Sequence, residues 1–157
     1  MGAALGSNYS CDETGGVAMS YINNVLTGTY GYSNASYTSS YNLSIVKSNI
    51  QNYKPVIIGG ARGIFDGGHA WVIEGLKEYF IYKCSWVEGE WRGQKVRTPT
   101  TSSGFVWNLF EGYTKLYMNW GFGSQYDGWF SSSPDFWDPR GAGPYDYNHE
   151  MIYNITP

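Results

Sequence analysis

The chain has 157 residues, of which 15% are charged and 18% are aromatic, and its formal net charge is −3. This length suffices for one domain with its own core, and the composition excludes a disordered chain, a coiled coil and a collagen. The ten Lys and Arg residues are scattered along the sequence, so we expect no nucleic-acid partner, which would need clustered positive charge.

Two short helices are predicted in the first third of the chain. Apolar residues recur at helical spacing over residues 17–26, with Thr14 as the expected N-cap and Gly28 as the expected stop. A second helix is predicted over residues 43–52, with Asn42 as its cap. The polar and aromatic segment between the two helices is expected to be a loop or an edge segment.

From residue 55 onward, short apolar runs separated by turn residues predict β-strands. The predicted strands are residues 56–58, 69–75, 79–87, 116–119, 128–130 and 151–155. Residues 88–104 are expected to be an inserted loop or hairpin, and the Gly- and Pro-rich residues 131–148 a long surface loop. The order of two helices followed by an antiparallel β run predicts the α+β class.

The first chemically informative segment is residues 66–75, in which His69 opens an apolar strand directly after Gly67 and Gly68. Such a histidine can face a cleft, and the two glycines let a substrate or another backbone pass close to the imidazole. An imidazole can take up and return a proton near neutral pH. The alternative is a hydrogen-bonded core or turn histidine, and this segment alone leaves both readings open.

The second informative segment, residues 118–130, is rich in aromatic residues and glycines. Asn119 stands at the end of a predicted strand, where its side chain could accept a hydrogen bond from a histidine ring and fix the tautomer. The neighbouring Trp120 could shield that bond from water. By itself the segment could equally be an aromatic hairpin turn.

Together the two segments resemble the streptopain family of papain-like cysteine peptidases, secreted bacterial enzymes made as zymogens. The shared pattern is Gly-Gly-His-Ala-aromatic-Val-Ile-acid-Gly, then Asn-Trp-Gly-aromatic-Gly and Asp-Gly-aromatic-Phe. Further landmarks follow in the same order: Tyr-Gly-Tyr-Ser at 30–33, Lys-Pro-Val-Ile-Ile-Gly-Gly at 54–60, Gly-Ala-Gly at 141–143 and Ile-Thr-Pro at 155–157. The resemblance covers essentially the whole chain, but only the C-terminal part of a mature family member.

The resemblance implies the β-rich histidine lobe of a papain-like fold, with two helices packed on a twisted antiparallel sheet. It implies that His69 is the general base, and that Asn119 and Trp120 orient and cover the imidazole. Glycines next to the histidine and in the later loop would border the substrate cleft: Gly67, Gly68, Gly141 and Gly143. Two residues depart mildly from the family pattern, because Glu74 replaces the usual Asp and Phe122 a frequent Trp.

A more serious departure is the missing nucleophile. In the family, the reactive cysteine lies at a helix start in a Gly-Cys-Val-Ala-Thr-Ala type motif, where the helix dipole and a protonated histidine favour the thiolate. The nearest text is residues 14–19, with Gly16 where the cysteine would fall. Cys11 is expected to have a surface or disulfide role and Cys84 a core role. Whether the two form a disulfide stays open.

Three functional hypotheses follow. The chain is a part of a peptidase that needs a cysteine-bearing N-terminal lobe, a catalytically dead homologue that binds peptides or a protease, or a structural module with a coincidental Gly-His strand. A base without a thiol performs no acyl transfer, so the chain alone is expected to be inactive.

The expected partners are a peptide or protein substrate, the cysteine-bearing lobe and a second copy of the chain, which an exposed aromatic face could bring together as a homodimer. No cofactor or metal is expected, because the sequence has two histidines and no Cys-x-x-Cys pair. Nor do we expect a membrane partner, since no apolar run approaches the roughly 20 residues of a span. The resemblance implies secretion or a bacterial cell surface, although no signal peptide is predicted within this chain.

Overall fold

The computed structural model describes residues 17–64, 68–99 and 106–157. The helices are α1 (Met19–Gly28), α2 (Leu43–Gln51) and a 3₁₀ turn (Pro134–Phe136). The strands are β1 (Asn34–Thr38), β2 (Val56–Ala61), β3 (His69–Trp91), β4 (Gln94–Pro99), β5 (Val106–Asn119), β6 (Gly128–Ser131) and β7 (Tyr147–Thr156). The prediction of an α+β chain with two helices and a mostly antiparallel sheet is confirmed.

The chain divides into two compact units. The first holds the residues up to Lys77 and those from Lys115 onward, and the second is Glu78–Thr114. In the first unit, the strands are arranged in the order β1-β7-β2-β3-β5-β6. The pairs β1/β7, β7/β2, β2/β3 and β5/β6 are antiparallel, and Gly60 lies opposite His69 in the β2/β3 register.

The sheet of the first unit carries a buried apolar cluster on each face. Successive residues of a strand point to opposite faces, and the neighbours Met151 and Ile152 of β7 accordingly belong to different clusters. Val46 of α2 lies in the Met151 cluster, whereas Leu26 of α1 lies in the Ile152 cluster. The two helices therefore cover opposite faces of the sheet.

Helix α2 is capped as its sequence predicts. The Asn42 side-chain oxygen accepts hydrogen bonds from the backbone N–H groups of Ser44 (3.0 Å) and Ile45 (3.2 Å), which satisfies donors that the first helical turn leaves free. Helix α1 begins at Met19 with Ala18 in the N-cap position and without a side-chain cap. The prediction of Thr14 as the cap is therefore wrong, and Thr14 itself lies outside the described residues.

The segment between the helices forms β1 at the edge of the sheet, which agrees with the predicted loop or edge segment. The two strands predicted at 69–75 and 79–87 are instead one continuous strand, β3. Gly75 is not a turn residue. A Cβ atom there would lie 2.7 Å from Cβ of Tyr117 and 3.2 Å from the Trp129 ring, so this glycine permits a close approach within the first unit.

The second unit is built on a β-hairpin in which β4 pairs with the second half of β3. Arg92 and Gly93 have φ angles of 52° and 77°, the left-handed pair that two-residue hairpin turns of type I′ require. The hairpin predicted within 88–104 is thus confirmed over its described part. Cys84 is a half-buried free thiol in this unit rather than a fully buried core residue, and Cys11 lies outside the described residues.

Large apolar side chains remain exposed in the second unit. Tyr79 stacks on Tyr113 with ring centroids 4.6 Å apart, and the Lys83 ammonium lies 3.1 Å from the Phe110 ring centroid. Several others are more than half exposed: Phe80, Tyr82, Trp91 and Leu109.

The segment 131–148, predicted as a surface loop, contributes to the core. Trp137 is completely buried and Tyr145 is 7% exposed. The Trp137 indole N–H donates to the Ser131 carbonyl at 2.7 Å, and the Tyr145 N–H donates to the Trp137 carbonyl at 2.9 Å. The prediction failed because the glycines and prolines of this segment indicate turns but do not show where its aromatic residues are buried.

The buried Asn49 of α2 provides a test of helix docking. Its Nδ2 donates to the Ile45 carbonyl (2.9 Å), and its Oδ1 accepts the N–H of Asn154 (2.7 Å), a residue of β7 with a left-handed φ of 55°. Asn49→Ala should lower the free energy of unfolding by roughly 1–3 kcal/mol, because a partly buried N–H loses its acceptor. The measurement is urea denaturation followed by tryptophan fluorescence.

The control is Asn52→Ala. This exposed side chain donates only to the Ser48 carbonyl in the structure, and its loss should change stability by no more than about 0.5 kcal/mol. Equal losses in the two variants would contradict the role given to Asn49.

Candidate functional site

His69 is half-buried at the first residue of β3, and its ring is held through one nitrogen. Its Nε2 lies 2.8 Å from the backbone carbonyl oxygen of Trp120. A carbonyl oxygen only accepts hydrogen bonds, so Nε2 carries the proton and donates it. In the neutral ring, Nδ1 then carries a lone pair, and within the described residues this atom has no hydrogen-bond partner.

Aromatic rings surround this imidazole. The Phe122 ring is parallel to it within 10°, with a centroid distance of 4.5 Å, and the Tyr145 ring lies 5.8 Å away. Trp71 and Trp120 are buried, stack on each other at 4.5 Å and each lie 6.3 Å from the imidazole. Among the described residues, neither indole Nε1 atom has a hydrogen-bond partner. Apolar surface thus shields part of the ring from water, and the residue as a whole is half-buried.

The surroundings lower the pKa of His69 below its ordinary value of 6.5. Burial is the largest cause, because it disfavours the charged ring. The positive charges of Arg140 and Arg62 act in the same direction, whereas the hydrogen bond to Trp120 opposes them. His69 is therefore mostly a neutral base at pH 7.

The structure separates the roles of Asn119 and Trp120. Trp120 contacts the imidazole through its backbone carbonyl, and its own N–H donates to Asp127 Oδ1 at 2.8 Å. The side-chain oxygen of Asn119 instead accepts the N–H of Gly121 at 3.1 Å, where φ is 75°. Asn119 thus stabilises the turn that presents the Trp120 carbonyl, and within the described residues this carbonyl, not the Asn119 amide, is the hydrogen-bond partner of the ring.

The glycines next to the histidine differ in their steric demand. Gly67 lies outside the described residues, and Gly68 is exposed, with only ordinary contact at 3.5 Å for an added Cβ. Gly60, opposite His69 on β2, is the crowded position: a Cβ there would lie 3.1 Å from both the His149 and Trp71 rings. Sequence reasoning used Gly60 only as the end of a strand, because its neighbours across the sheet are distant in the chain.

Gly141 and Gly143 belong to a turn organised by Asp138. The Asp138 carboxylate accepts N–H bonds from Arg140 (3.2 Å), Ala142 (3.0 Å) and Gly143 (3.0 Å). Both glycines have left-handed φ angles, 68° and 107°. Burial acts to raise the pKa of Asp138, but these backbone donors outweigh it and the net pKa is lowered.

This turn places a cation beside the imidazole. The Arg140 guanidinium carbon lies 3.7 Å from the centroid of the Phe122 ring, which stacks on His69. From the end of β2, the Arg62 guanidinium lies 4.5 Å over the Tyr145 ring. Sequence analysis missed both arginines, since scattered single cations carry no motif.

The described residues contain no cluster of three or more His, Cys, Asp or Glu side chains able to hold a metal ion. In that same part of the chain, neither helix has the length and hydrophobicity needed to cross a bilayer. In the described residues, the imidazole is surrounded by aromatic rings, a carbonyl and two guanidinium groups.

No family model matches the chain, and no curated protein matches it.

The electrostatic cause of the lowered His69 pKa is testable by substitution. Arg140→Gln and Arg62→Gln should each move the pKa of His69 upward toward 6.5, since each removes a positive charge that disfavours the imidazolium. The measurement is an NMR titration of the imidazole carbons. Because the unfolded chain takes up this proton first, the free energy of unfolding should fall as the pH drops below 6.5 and level off below the folded pKa.

Arg92→Gln is the matched control, because this guanidinium lies 4.5 Å over the Trp91 ring in the second unit and does not contribute to the lowered pKa of His69. Unchanged His69 titration in both site variants would contradict the charge contribution.

The Asp138 turn should loosen in acid. Because the pKa of this carboxylate is lowered in the folded protein, its contribution to the free energy of unfolding is complete above the ordinary value of 3.8. That contribution is lost as the pH falls through the folded pKa. Asp138→Ala should speed hydrogen exchange at the amides of Arg140, Ala142 and Gly143, as measured by NMR. Asp135→Ala, which removes an exposed bond to the Ser133 hydroxyl, should leave those amides unchanged; faster exchange in both variants would count against the turn.

Proposed function

We propose that the chain is the histidine-bearing part of a secreted cysteine endopeptidase resembling streptopain, with a papain-like fold. In this proposal, a cysteine-bearing lobe completes the site, and His69 is the general base. The described structure supports it with an α+β unit whose sheet starts a strand at a partly exposed histidine. The motifs of residues 66–75 and 118–130 supply the family resemblance.

The observation that carries the proposal is that the two ring nitrogens differ in their hydrogen bonding. Nε2 is occupied by the Trp120 carbonyl at 2.8 Å, while Nδ1 is unpartnered within the described residues. A thiol that approaches Nδ1 would meet a lone pair on a ring whose orientation is already fixed. This is the arrangement that a base needs to activate a nucleophile.

The proposed reaction begins when Nδ1 takes the proton of the cysteine S–H group. The thiolate sulfur attacks the scissile carbonyl carbon, and the resulting tetrahedral intermediate collapses as the imidazolium gives its Nδ1 proton to the leaving amine. Water then hydrolyses the thioester, with His69 again as base. Throughout these steps, the Trp120 carbonyl keeps the Nε2–H bond and stabilises the imidazolium.

The lowered pKa of His69 suits the first step, because a neutral imidazole is the form that accepts a proton. A thiolate beside the ring would then favour the imidazolium and offset the two arginine charges. Aromatic rings around the site would exclude water from this ion pair, which strengthens it. An extended peptide would lie along the walls formed by these rings, with backbone hydrogen bonds adding to the contact.

A second candidate function is peptide binding without catalysis. Within the described residues, the His69 ring contacts a carbonyl oxygen and aromatic rings, and no thiol. This observation favours a catalytically dead homologue that binds peptides or a partner protease. The same pocket would then hold a peptide without cleaving it.

The test is reconstitution. The chain should not hydrolyse dye-labelled casein alone, and should do so when mixed with a cysteine-bearing N-terminal lobe of a streptopain-like enzyme. His69→Ala should reduce that activity by several orders of magnitude, because the thiol loses its base. His149→Gln is the control. The His149 Nε2 donates to the Tyr145 carbonyl at 2.6 Å, and the activity of the variant should change only as far as its thermal stability changes.

Two results would decide against the proposal. Casein hydrolysis by the chain alone that resists iodoacetamide would show a reaction without a thiol. An inert mixture in which the chain still binds peptide would favour the dead homologue.

A further inference from the structure

Within the described residues, two arginines lie beside the aromatic rings around His69 without a carboxylate partner. Arg62 and Arg140 each place a guanidinium over an aromatic ring that itself lies next to the imidazole, Tyr145 and Phe122 respectively. Within the described residues, neither side chain has an ion-pair or hydrogen-bond partner. A chain with net charge −3 thus concentrates unpaired positive charge at its candidate site.

Three acidic side chains of the described first unit are already engaged in hydrogen bonds. Asp127 accepts the Trp120 N–H, and the Asp138 carboxylate accepts three backbone N–H groups of its own turn. Glu150 accepts the hydroxyl of Tyr37. By contrast, Arg97 of the second unit has an ion pair with Glu88 at 3.4 Å. The missing partner at the site is therefore not general for the arginines of this chain.

Burial makes the unpaired state of Arg62 costly. Its Nε and Nη2 atoms are shielded from solvent and have no acceptor, and a buried donor without an acceptor loses its hydration without compensation. A guanidinium presents its donors in a planar fork that matches a carboxylate. The aromatic face beneath it holds the fork in place. The ring thus holds the guanidinium in one orientation, and an oxygen anion would reach it at Nη1, since Nε and Nη2 are closed to solvent.

We propose that Arg62 and Arg140 form an acidic-residue subsite, which binds the side-chain carboxylate of a Glu or Asp in a peptide seated next to His69. The proposal rests on the proposed function in one respect: it takes the ligand of the His69 pocket to be a peptide. It adds a substrate class, peptides with an acidic residue close to the bond that faces the imidazole.

The experiment measures binding by the chain alone, without a cysteine lobe. The probes are dye-labelled hexapeptides with blocked ends, in which a single Glu is scanned through the six positions, and a matched set with Gln in its place. At the preferred position, Glu should bind about tenfold more tightly than Gln, a difference of about 1.4 kcal/mol, because only the carboxylate forms a charge-assisted pair with a guanidinium. The preference should shrink as salt is raised.

Arg62→Gln and Arg140→Gln should each reduce the Glu-over-Gln ratio, and the double variant should abolish it. Arg92→Gln is the matched control, since Arg92 also stacks on an aromatic ring but in the second unit, and it should leave the ratio unchanged. Should Arg62→Gln fail to fold, Arg62→Lys keeps the charge and loses the fork, so its ratio should fall only in part.

The subsite would be overturned if Glu and Gln peptides bound equally at every position, or if the Glu-over-Gln ratio survived in the double variant. It would also be overturned if no peptide bound. Reconstituted casein hydrolysis is a separate measurement. If the mixture does not hydrolyse casein but the Glu preference persists, the peptidase proposal is wrong and the subsite is supported. If the mixture hydrolyses casein but no Glu preference is found, the peptidase proposal is supported and the subsite is wrong.

Discussion

The hydrogen bond from His69 Nε2–H to the Trp120 carbonyl is the interaction on which the candidate site depends. It joins the first residue of β3 to the residue that follows β5, two positions far apart in the chain. It also fixes the ring orientation and directs the free lone pair of Nδ1 away from its own anchor. A backbone acceptor suits this purpose, because its position follows from the strand and turn rather than from a side-chain rotamer.

The local structure around that bond was predictable where short-range chemistry decides it. The Asn42 cap and the apolar spacing of α2 act over a few residues, and the structure contains them as expected. The boundary of α1 was misplaced because the predicted cap is not used. The division of β3 was wrong because Gly75 serves packing against Tyr117, a contact between distant positions that no local pattern reveals.

The candidate site was partly predictable for the same reason. His69, Asn119 and Trp120 belong to motifs, and their types and spacing suggested a base with an orienting neighbour. Arg62 and Arg140 belong to no motif, and their importance comes from the aromatic rings that tertiary packing places beneath them. The choice between the Asn119 amide and the Trp120 carbonyl as the ring's acceptor also needed coordinates, since both lie at the same strand end.

The stacked indoles of Trp71 and Trp120 also affect the stability of the folded state. Their N–H groups are buried and find no acceptor in the part of the chain that the structure describes, and each such donor weakens the folded state. A phenyl ring at either place would remove that penalty and also remove part of the flat surface beside the imidazole. These buried donors lower the stability of the folded state beside His69, so selection for heat resistance alone would be expected to remodel this aromatic cluster first.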